Sequence, residues 1–480
     1  MHRMSQVSQF PKVMQGRGLD CIDKMEKEVA ACKAHIVVLP YHGQGHMNPL
    51  LQVSKRLAAK GIKVTVTTTL SNTKAMQAAS TYITSESIYD DFSEGGSAGP
   101  GGFKGFLERF EAIGSRNLTS LLRKFQDSEN PVACLLYDAN VTWASNVVNE
   151  MGIRSVAFLT HSCAFFASLY LMHCDLLGVV PSVPIQSMPG LLELRVPTMP
   201  SLGPQAGRYP PIIRFLLRQF DNIEKADWVL FNSFHMLEEE AVNQMLKLWP
   251  VRPIGPTLPS FYLDNRVEVD YDYAFNVHKP NTDICLKWLD SKDTRSVIYV
   301  SFGSVSSLSK EQTAELAEAL VNSGKSFLWV VRPSEEHTLP TNFIEETSNQ
   351  GLIVKWSPQL AVLGHDSVGC FISHCGWNST IEAISLGVPI VAMPQFLDQI
   401  TDAHFVEHIW QVGIQPKADD KGFSQSVEIS RCILGIMQGE RGEEIRKNAA
   451  RLKALAKEAV AEGGSSDRNM CEFISQLLPG

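Results

Sequence analysis

The stretch that decides the fold runs from Trp356 to Gln399 and reads WSPQLAVLGHDSVGCFISHCGWNSTIEAISLGVPIVAMPQFLDQ. An apolar run, Val368, Cys370, Phe371 and Ile372, reads as a buried strand leading into Ser373-His374-Cys375-Gly376-Trp377. Asn378, Ser379 and Thr380 then open a short helix that Gly387 closes, and Pro389 to Met393 makes the next strand, ended by Pro394. Strand, loop, helix and strand in that order predict a parallel sheet. Ligands of such sheets sit beyond the carboxyl ends of the strands, where helix N-termini offer unpaired N–H groups and the positive end of a dipole. His374, Asn378 and Ser379 add side-chain donors at that spot, which suits a diphosphate. Glu382, Asp398 and Gln399 add acceptors, which suits sugar hydroxyls. The residues alone therefore predict a site for a phosphorylated sugar or a nucleotide.

Upstream, the same alternation repeats. Val297 to Phe302 reads as a strand followed by Gly303-Ser304, where backbone can approach a ligand closely. Ser309 and Gln312 read as a capping box on a helix with Leu316, Ala317 and Leu320 on its buried face and Gly324 at its end. Ser326 to Val331 and Gly351 to Lys355 are further strands. The first half begins alike: strand His35 to Leu39, a glycine-bearing loop Pro40 to His46, and a helix with Pro49 in its first turn and Leu50, Val53, Leu57 and Ala58 on one face. Gly61 ends that helix and Ile62 to Thr69 is the next strand. His46, at a strand's carboxyl end, is either a catalytic imidazole or one that caps or packs. Ser85 to Gly105 is glycine- and serine-rich and reads as a flexible loop before a helix over Phe106 to Phe125. The run Ala133 to Tyr137 is a buried strand ending at Asp138, and Ser155 to Leu159 is another, ending at Thr160 and His161. Phe165, Phe166, Leu169, Leu171 and the proline-rich segment Pro181 to Pro204 suit the walls of an apolar pocket as well as ordinary core. Arg441 to Glu462 and Asp467 to Leu478 read as closing helices.

Bulk properties narrow the class. A chain of 480 residues holds two domains comfortably. With 43 basic and 51 acidic residues, its net charge of −8 argues against nucleic acid or an acidic membrane surface as the main partner. The 10 cysteines form no CxxC pair, so buried free thiols in a reducing compartment are expected. The most apolar stretch, Phe158 to Val180, is interrupted by His161, His173, Cys174 and Asp175 and reads as a buried helix, not a membrane span. Met1 to Lys24 lacks both periodicity and the apolar centre of a signal peptide, and is expected to be a disordered extension. Asn378-Ser379-Thr380 is formally a glycosylation sequon, and a glycan there would block the site, which favours the cytoplasm.

The Trp356 to Gln399 box resembles the signature box of plant family 1 UDP-glycosyltransferases, and the similarity extends over roughly residues 34–480. The resemblance implies a GT-B fold: two Rossmann-like, parallel-sheet α/β domains facing across a cleft. The implied divisions are an acceptor-binding domain over 25–250, a linker over 251–290, a UDP-sugar-binding domain over 291–455 and a helical segment over 456–480 that packs back on the first domain. It implies that His46 in the GQGH segment is the catalytic base and that Asp138 orients its imidazole. Trp356 would stack on uracil; Gln359 and Glu382 would hold the ribose and base edge. Ser304, His374, Asn378 and Ser379 would grip the diphosphate, with Trp377 contributing backbone N–H and shape. Asp398 and Gln399 would hold the hexose, the glutamine favouring glucose. Thr160, His161, Phe165 and Phe396 would face the acceptor. His42 and His161 depart from the commoner proline and glutamine, leaving both roles open.

The expectation is thus an inverting UDP-glucose-dependent glucosyltransferase, monomeric, acting on a hydroxyl or carboxyl group of a small lipophilic metabolite. An S-glucosyltransferase on thiohydroximates and a silent nucleotide-sugar binding protein stand as alternatives. A nicotinamide oxidoreductase is disfavoured because Gly43 and Gly45 are followed by Asn48, so the G-x-G-x-x-G pattern is missing. Asp270-Tyr271-Asp272 has the form of a metal-binding DxD, but with no strand before it reads as a solvated acidic patch, and no metal is expected.

Overall fold

Short, mostly apolar runs of at most seven residues alternating with helices leave few topologies open, because each parallel strand must be regained by a crossover. The computed structural model of the protein describes residues 34–70, 73, 83–89, 101–177, 211–267, 270–271, 273, 280–420 and 422–478. In the first half lie β1 (His35–Leu39), α1 (Gln44–Ala59), β2 (Lys63–Thr69), β3 (Thr84–Tyr89), α2 (Gly102–Gln126), β4 (Val132–Asp138), β5 (Arg154–Leu159), α3 (Cys163–Leu177), β6 (Trp228–Phe231) and β7 (Val251–Pro253). The second half adds β8 (Val297–Ser301), α4 (Lys310–Asn322), β9 (Ser326–Val330), β10 (Gly351–Val354), β11 (Val368–Ser373), α5 (Trp377–Leu386), β12 (Ile390–Ala392), α6 (Asp398–His404) and β13 (Gly413–Ile414). Two long helices, α7 (Gly439–Val460) and α8 (Ser465–Leu477), close the chain.

Two sheets result, ordered β3-β2-β1-β4-β5-β6-β7 and β10-β9-β8-β11-β12-β13, and every described pairing is parallel. Chain order reverses between β1 and β4 in one sheet and between β8 and β11 in the other. At such a reversal the flanking loops splay apart and leave a crevice. Both faces of each sheet are covered, so every residue of the central strands β1 and β8 is buried, most of them apolar.

α8 is the element that ties the end of the chain to its beginning. Its Met470, Phe473, Ile474 and Leu477 share one apolar cluster with Ile36, Val38 and Leu230 of the first sheet. Ion pairs reinforce the crossing, Lys60 reaching Asp467 at 2.8 Å and Arg266 reaching it at 3.1 Å.

Several sequence expectations need correction. The flexible loop placed from Ser85 onward starts with β3, because Thr84–Tyr89 pairs in register with β2; residues 90–100 lie outside the described set, and Gly102 already opens α2. Val251–Pro253, placed in the linker, is the last strand of the first sheet. The apolar stretch from Phe158 starts as the end of β5 before α3 begins. Ser309 does cap α4 by accepting the Gln312 N–H at 3.1 Å. The reciprocal half of a capping box is missing, because the Gln312 side chain brackets the backbone of Ser424 instead. Asp270 is no solvated patch: it is buried, its carboxylate accepting from Lys55 Nζ at 2.6 Å and from the Ser260 N–H at 2.6 Å. Asp272, residues 1–24 and Pro181–Pro204 lie outside the described residues. Of the cysteines described, Cys471 is exposed and the rest are buried free thiols. Among the described residues, no helix is long and apolar enough to cross a membrane.

Phe473 is fully buried at the centre of the α8 contact. Phe473→Ala is expected to cost about 3–5 kcal/mol of unfolding free energy, read by urea denaturation; a loss near zero would show that the helix does not hold the first sheet.

Candidate active site

Loops from both topological reversals open on one cavity of about 550 Å³ between the sheets, a size that suits a small-molecule site. On its first-sheet wall, α1 starts at Gln44, so His46 lies in the first helical turn and not in a loop, a correction to the expected boundary. Pro49 therefore stands inside the helix. Proline has no N–H to offer the carbonyl four residues back. That carbonyl belongs to Gly45, and Asn378 Nδ2, from the first turn of α5, donates to it at 2.6 Å.

His46 Nδ1 donates to Asp138 Oδ2 at 2.7 Å, with Thr160 Oγ1 3.0 Å from the same nitrogen. A carboxylate only accepts, so the proton sits on Nδ1 and the neutral ring keeps its lone pair on Nε2. Asp138 is 1% exposed and His46 is 27% exposed on the cavity wall. The other carboxylate oxygen of Asp138 accepts the Asn140 N–H at 3.0 Å, which fixes the group in rotation. Enclosure alone would lower the His46 pKa, but the Asp138 charge and hydrogen bond, helped by Asp398, outweigh it and hold the imidazole above its ordinary value.

The second-sheet wall is built around His374, directly after β11. Glycines make room for it: a Cβ at Gly376 would lie 2.6 Å from His374 Nε2, and one at Gly303, where φ is +72°, 2.9 Å from the same atom. Burial, with the nearby Arg332 charge, pushes this imidazole down to about 4, so it is neutral. Arg332 also braces the loop after β8, donating to the carbonyls of Gly303 and Ser306 at 3.2 and 2.6 Å. Ser304 sits on that loop, facing the cavity. Gly376 precedes α5 without a capping side chain, and Asp398 Oδ2 accepts the Trp377 N–H at 3.3 Å. Burial raises Asp398 to about 6 against these hydrogen bonds.

Trp356 lines the cavity beside Gln359. Gln359 Nε2 donates to Glu382 Oε2 at 2.7 Å and to Ser379 Oγ at 3.0 Å, and its Oε1 accepts from Tyr299 at 3.0 Å. Gln399 Nε2 donates to Ser306 Oγ at 3.0 Å while its Oε1 accepts the N–H groups of Gln395 and Phe396. The two catalytic candidates and all ten donor-site candidates named from the sequence thus meet around one cavity, Asp138 standing behind its wall. Of the acceptor candidates, Phe165 and His161 line the cavity and Phe396 lies exposed at its edge. Thr160 lines the cavity too and contacts the His46 ring. Phe166 and Leu169, suggested as walls, are fully buried core. His42 is an exposed loop residue at the rim of the cavity, which it helps to line, its ring 4.9 Å from that of Phe106.

Three contributors went unnoticed in the sequence. Asn232, at the carboxyl end of β6, accepts the Trp377 indole N–H at 2.7 Å on its backbone oxygen and donates to Asn378 Oδ1 at 3.4 Å. Its place just past WVLF was the available signal. Tyr273 donates to Glu382 Oε1 at 2.9 Å, from a stretch whose sequence carries no such signal. Tyr299 holds Gln359 from within β8, where its alternation reads only as core.

A family model described as "UDP-glucoronosyl and UDP-glucosyl transferase" matches residues 232–422. UDP-glucosyl transferase 74CD1 of Saponaria officinalis is 44% identical over 461 residues, spanning 92% of this chain and 97% of that protein. Mogroside I-E synthase of Siraitia grosvenorii is 44% identical over 446 residues, with 92% and 98% covered. Among solved structures, Os79 from O. sativa in complex with UDP superposes with a TM-score of 0.82 at 36% identity, over 92% of this chain and 100% of that one.

Asp138→Asn removes the charge that outweighs enclosure, so the His46 pKa is expected to fall, read as a midpoint moving to lower pH in an NMR titration of its ring protons. An unmoved midpoint would mean that Asp138 does not control the imidazole.

Proposed function

Because the chain belongs to the plant family 1 UDP-glycosyltransferases of GT-B fold, we propose that it transfers glucose from UDP-glucose, with inversion, to an oxygen of a small lipophilic acceptor. The observation that carries this reading is the His46–Asp138 pair, 2.7 Å apart, on the wall opposite the open turn of α5. In this reading the acceptor oxygen bonds to the anomeric carbon as the bond from that carbon to the UDP oxygen breaks. The acceptor proton passes to His46 Nε2, and Asp138 stabilises the imidazolium so formed. Charge growing on the departing diphosphate meets the first turn of α5, where helix N–H groups lack intrahelical partners, together with Ser304, Asn378, Ser379 and neutral His374. Attack opposite the leaving group gives a β-glucoside.

The donor's base would stack on Trp356, an interaction worth about 1–3 kcal/mol. Glu382, already aimed by Gln359 and Tyr273, would take ribose hydroxyls. Asp398 and Gln399 would take the hexose. Phe165, Phe215 and Leu216 give the acceptor side its apolar character, which suits a lipophilic molecule.

His46→Ala is expected to abolish transfer of glucose to a phenolic acceptor while UDP still binds in calorimetry. Transfer at the wild-type rate would remove His46 from the chemistry. Among the described residues no three His, Cys, Asp or Glu side chains converge as metal ligands. We therefore propose that the α5 turn and its neighbours do without a metal, and expect turnover to survive EDTA dialysis; loss restored by Mg²⁺ or Mn²⁺ would contradict this.

A further inference from the structure

Asp402 is 1% exposed and lies one helical turn beyond Asp398 on α6. Its Oδ1 accepts from Ser162 Oγ at 2.9 Å, across the boundary between the two sheets' domains. Ser162 has one hydroxyl proton, and that proton goes to Asp402, because the same oxygen accepts the Phe165 N–H at 3.2 Å as it caps α3. The second oxygen of Asp402 is buried with no hydrogen-bond partner among the described residues. The ionisable groups around it are themselves acidic: Asp398 on its own helix, the Cys375 thiol after β11, and Glu238. Glu238, whose pKa burial raises, nonetheless accepts the Cys163 and Ala164 N–H groups and the Ser233 hydroxyl at 3.1, 2.9 and 2.6 Å, donors that Asp402 lacks. An ionised Asp402 would place a bare, unsolvated oxygen among these groups, a costly arrangement.

We propose that Asp402 is a positioning residue that keeps its own proton, a neutral strut tying the helix that bears Asp398 to the segment that bears Thr160 beside His46. The segment is short: Thr160 touches the His46 ring, and Ser162, two residues on, takes the strut. At the other end Asp398 holds the Trp377 N–H at the start of α5. A neutral carboxyl keeps the Ser162 bond without charge, whereas ionisation adds repulsion from Asp398 and Glu238. Burial first, then Asp398, raise its pKa well above the ordinary carboxylate value, in line with the same state.

The unfolded chain loses this proton near pH 4 and the folded protein keeps it, so folding weakens as pH rises from there until the folded group ionises. Asp402→Asn preserves the oxygen that accepts from Ser162 and has no proton to lose. Its melting temperature relative to wild type is therefore expected to climb between about pH 5 and about pH 8. At neutral pH the same variant should keep kcat within about twofold, while Asp402→Ala and Ser162→Ala, which break the strut from either end, should each lose on the order of tenfold in kcat. Those two losses should not add in the double variant. A melting difference that stays flat with pH, an Asn variant as impaired as the Ala variant, or wild-type kcat in both Ala variants would each overturn the proposal. The kinetic measurements rest on the glucosyl-transfer reading and the melting curves do not. A protein that melts as expected but transfers no glucose therefore counts against that reading alone.

Discussion

The structure turns on one backbone carbonyl. Pro49 cannot donate to Gly45, so the first turn of α1 carries an acceptor that its own helix leaves open, and Asn378 Nδ2 takes it at 2.6 Å. Gly45 eases the approach, since a Cβ there would crowd that nitrogen at 3.2 Å. The bond joins the turn that holds His46 to the turn that opens α5, the two places where opposite chemical duties are proposed. A second bond, from the Trp377 indole to the Asn232 carbonyl at 2.7 Å, grips the same helix start from β6. The separation of the two walls is thereby set by hydrogen bonds at the cavity itself, and the long connection between the sheets need not set it.

Charge around the cavity is arranged by the same closeness. His46 is raised because Asp138 is behind it and Asp398 lies across the cleft; Asp398 is raised in turn by burial, and feels His46 as a stabilising partner. His374, walled by Gly303 and Gly376 and near Arg332, is driven the other way and stays neutral. His46 and His374, two of the imidazoles that line the cavity, thus differ in protonation behaviour because one faces a carboxylate and the other is buried near a cation. Such a split is what separates a proton acceptor from a hydrogen-bond donor that stays put.

Much of this was legible in the sequence. The strands whose apolar runs end abruptly at a polar residue, at Asp138, Thr160 and Ser373-His374, lay where the parallel-sheet rule puts ligands, and the residues just past them do line or back the cavity. What failed to show were effects of tertiary distance. Helix α1 begins earlier than its apolar face suggests, because Gln44 and Gly45 carry no periodic signal, and the shift converts Pro49 from a tolerated starter into the source of an open carbonyl. Asp270 looked solvated because its partner Lys55 is far away in the chain. Gln312 looked like half of a capping box because Ser424, which claims it, is equally remote. Phe166 and Leu169 could not be told from pocket walls, since buried and cavity-facing apolar residues obey the same helical spacing.

The doubled topology explains why two unlike walls meet at one place. In each sheet the chain reverses order once, between β1 and β4 and between β8 and β11, and each reversal parts two loops at the strands' carboxyl ends. The first crevice is filled by an imidazole and its carboxylate, the second by glycines and a bare helix start. Neither half has both the proposed base and the proposed anion-holding turn, so in that reading neither would serve group transfer alone. Facing the two crevices toward each other brings them together without new backbone invention. It also leaves buried acids such as Asp402 and Glu238 at the seam, where they stay within the fold only if each has either donors enough to bear its charge or a proton of its own.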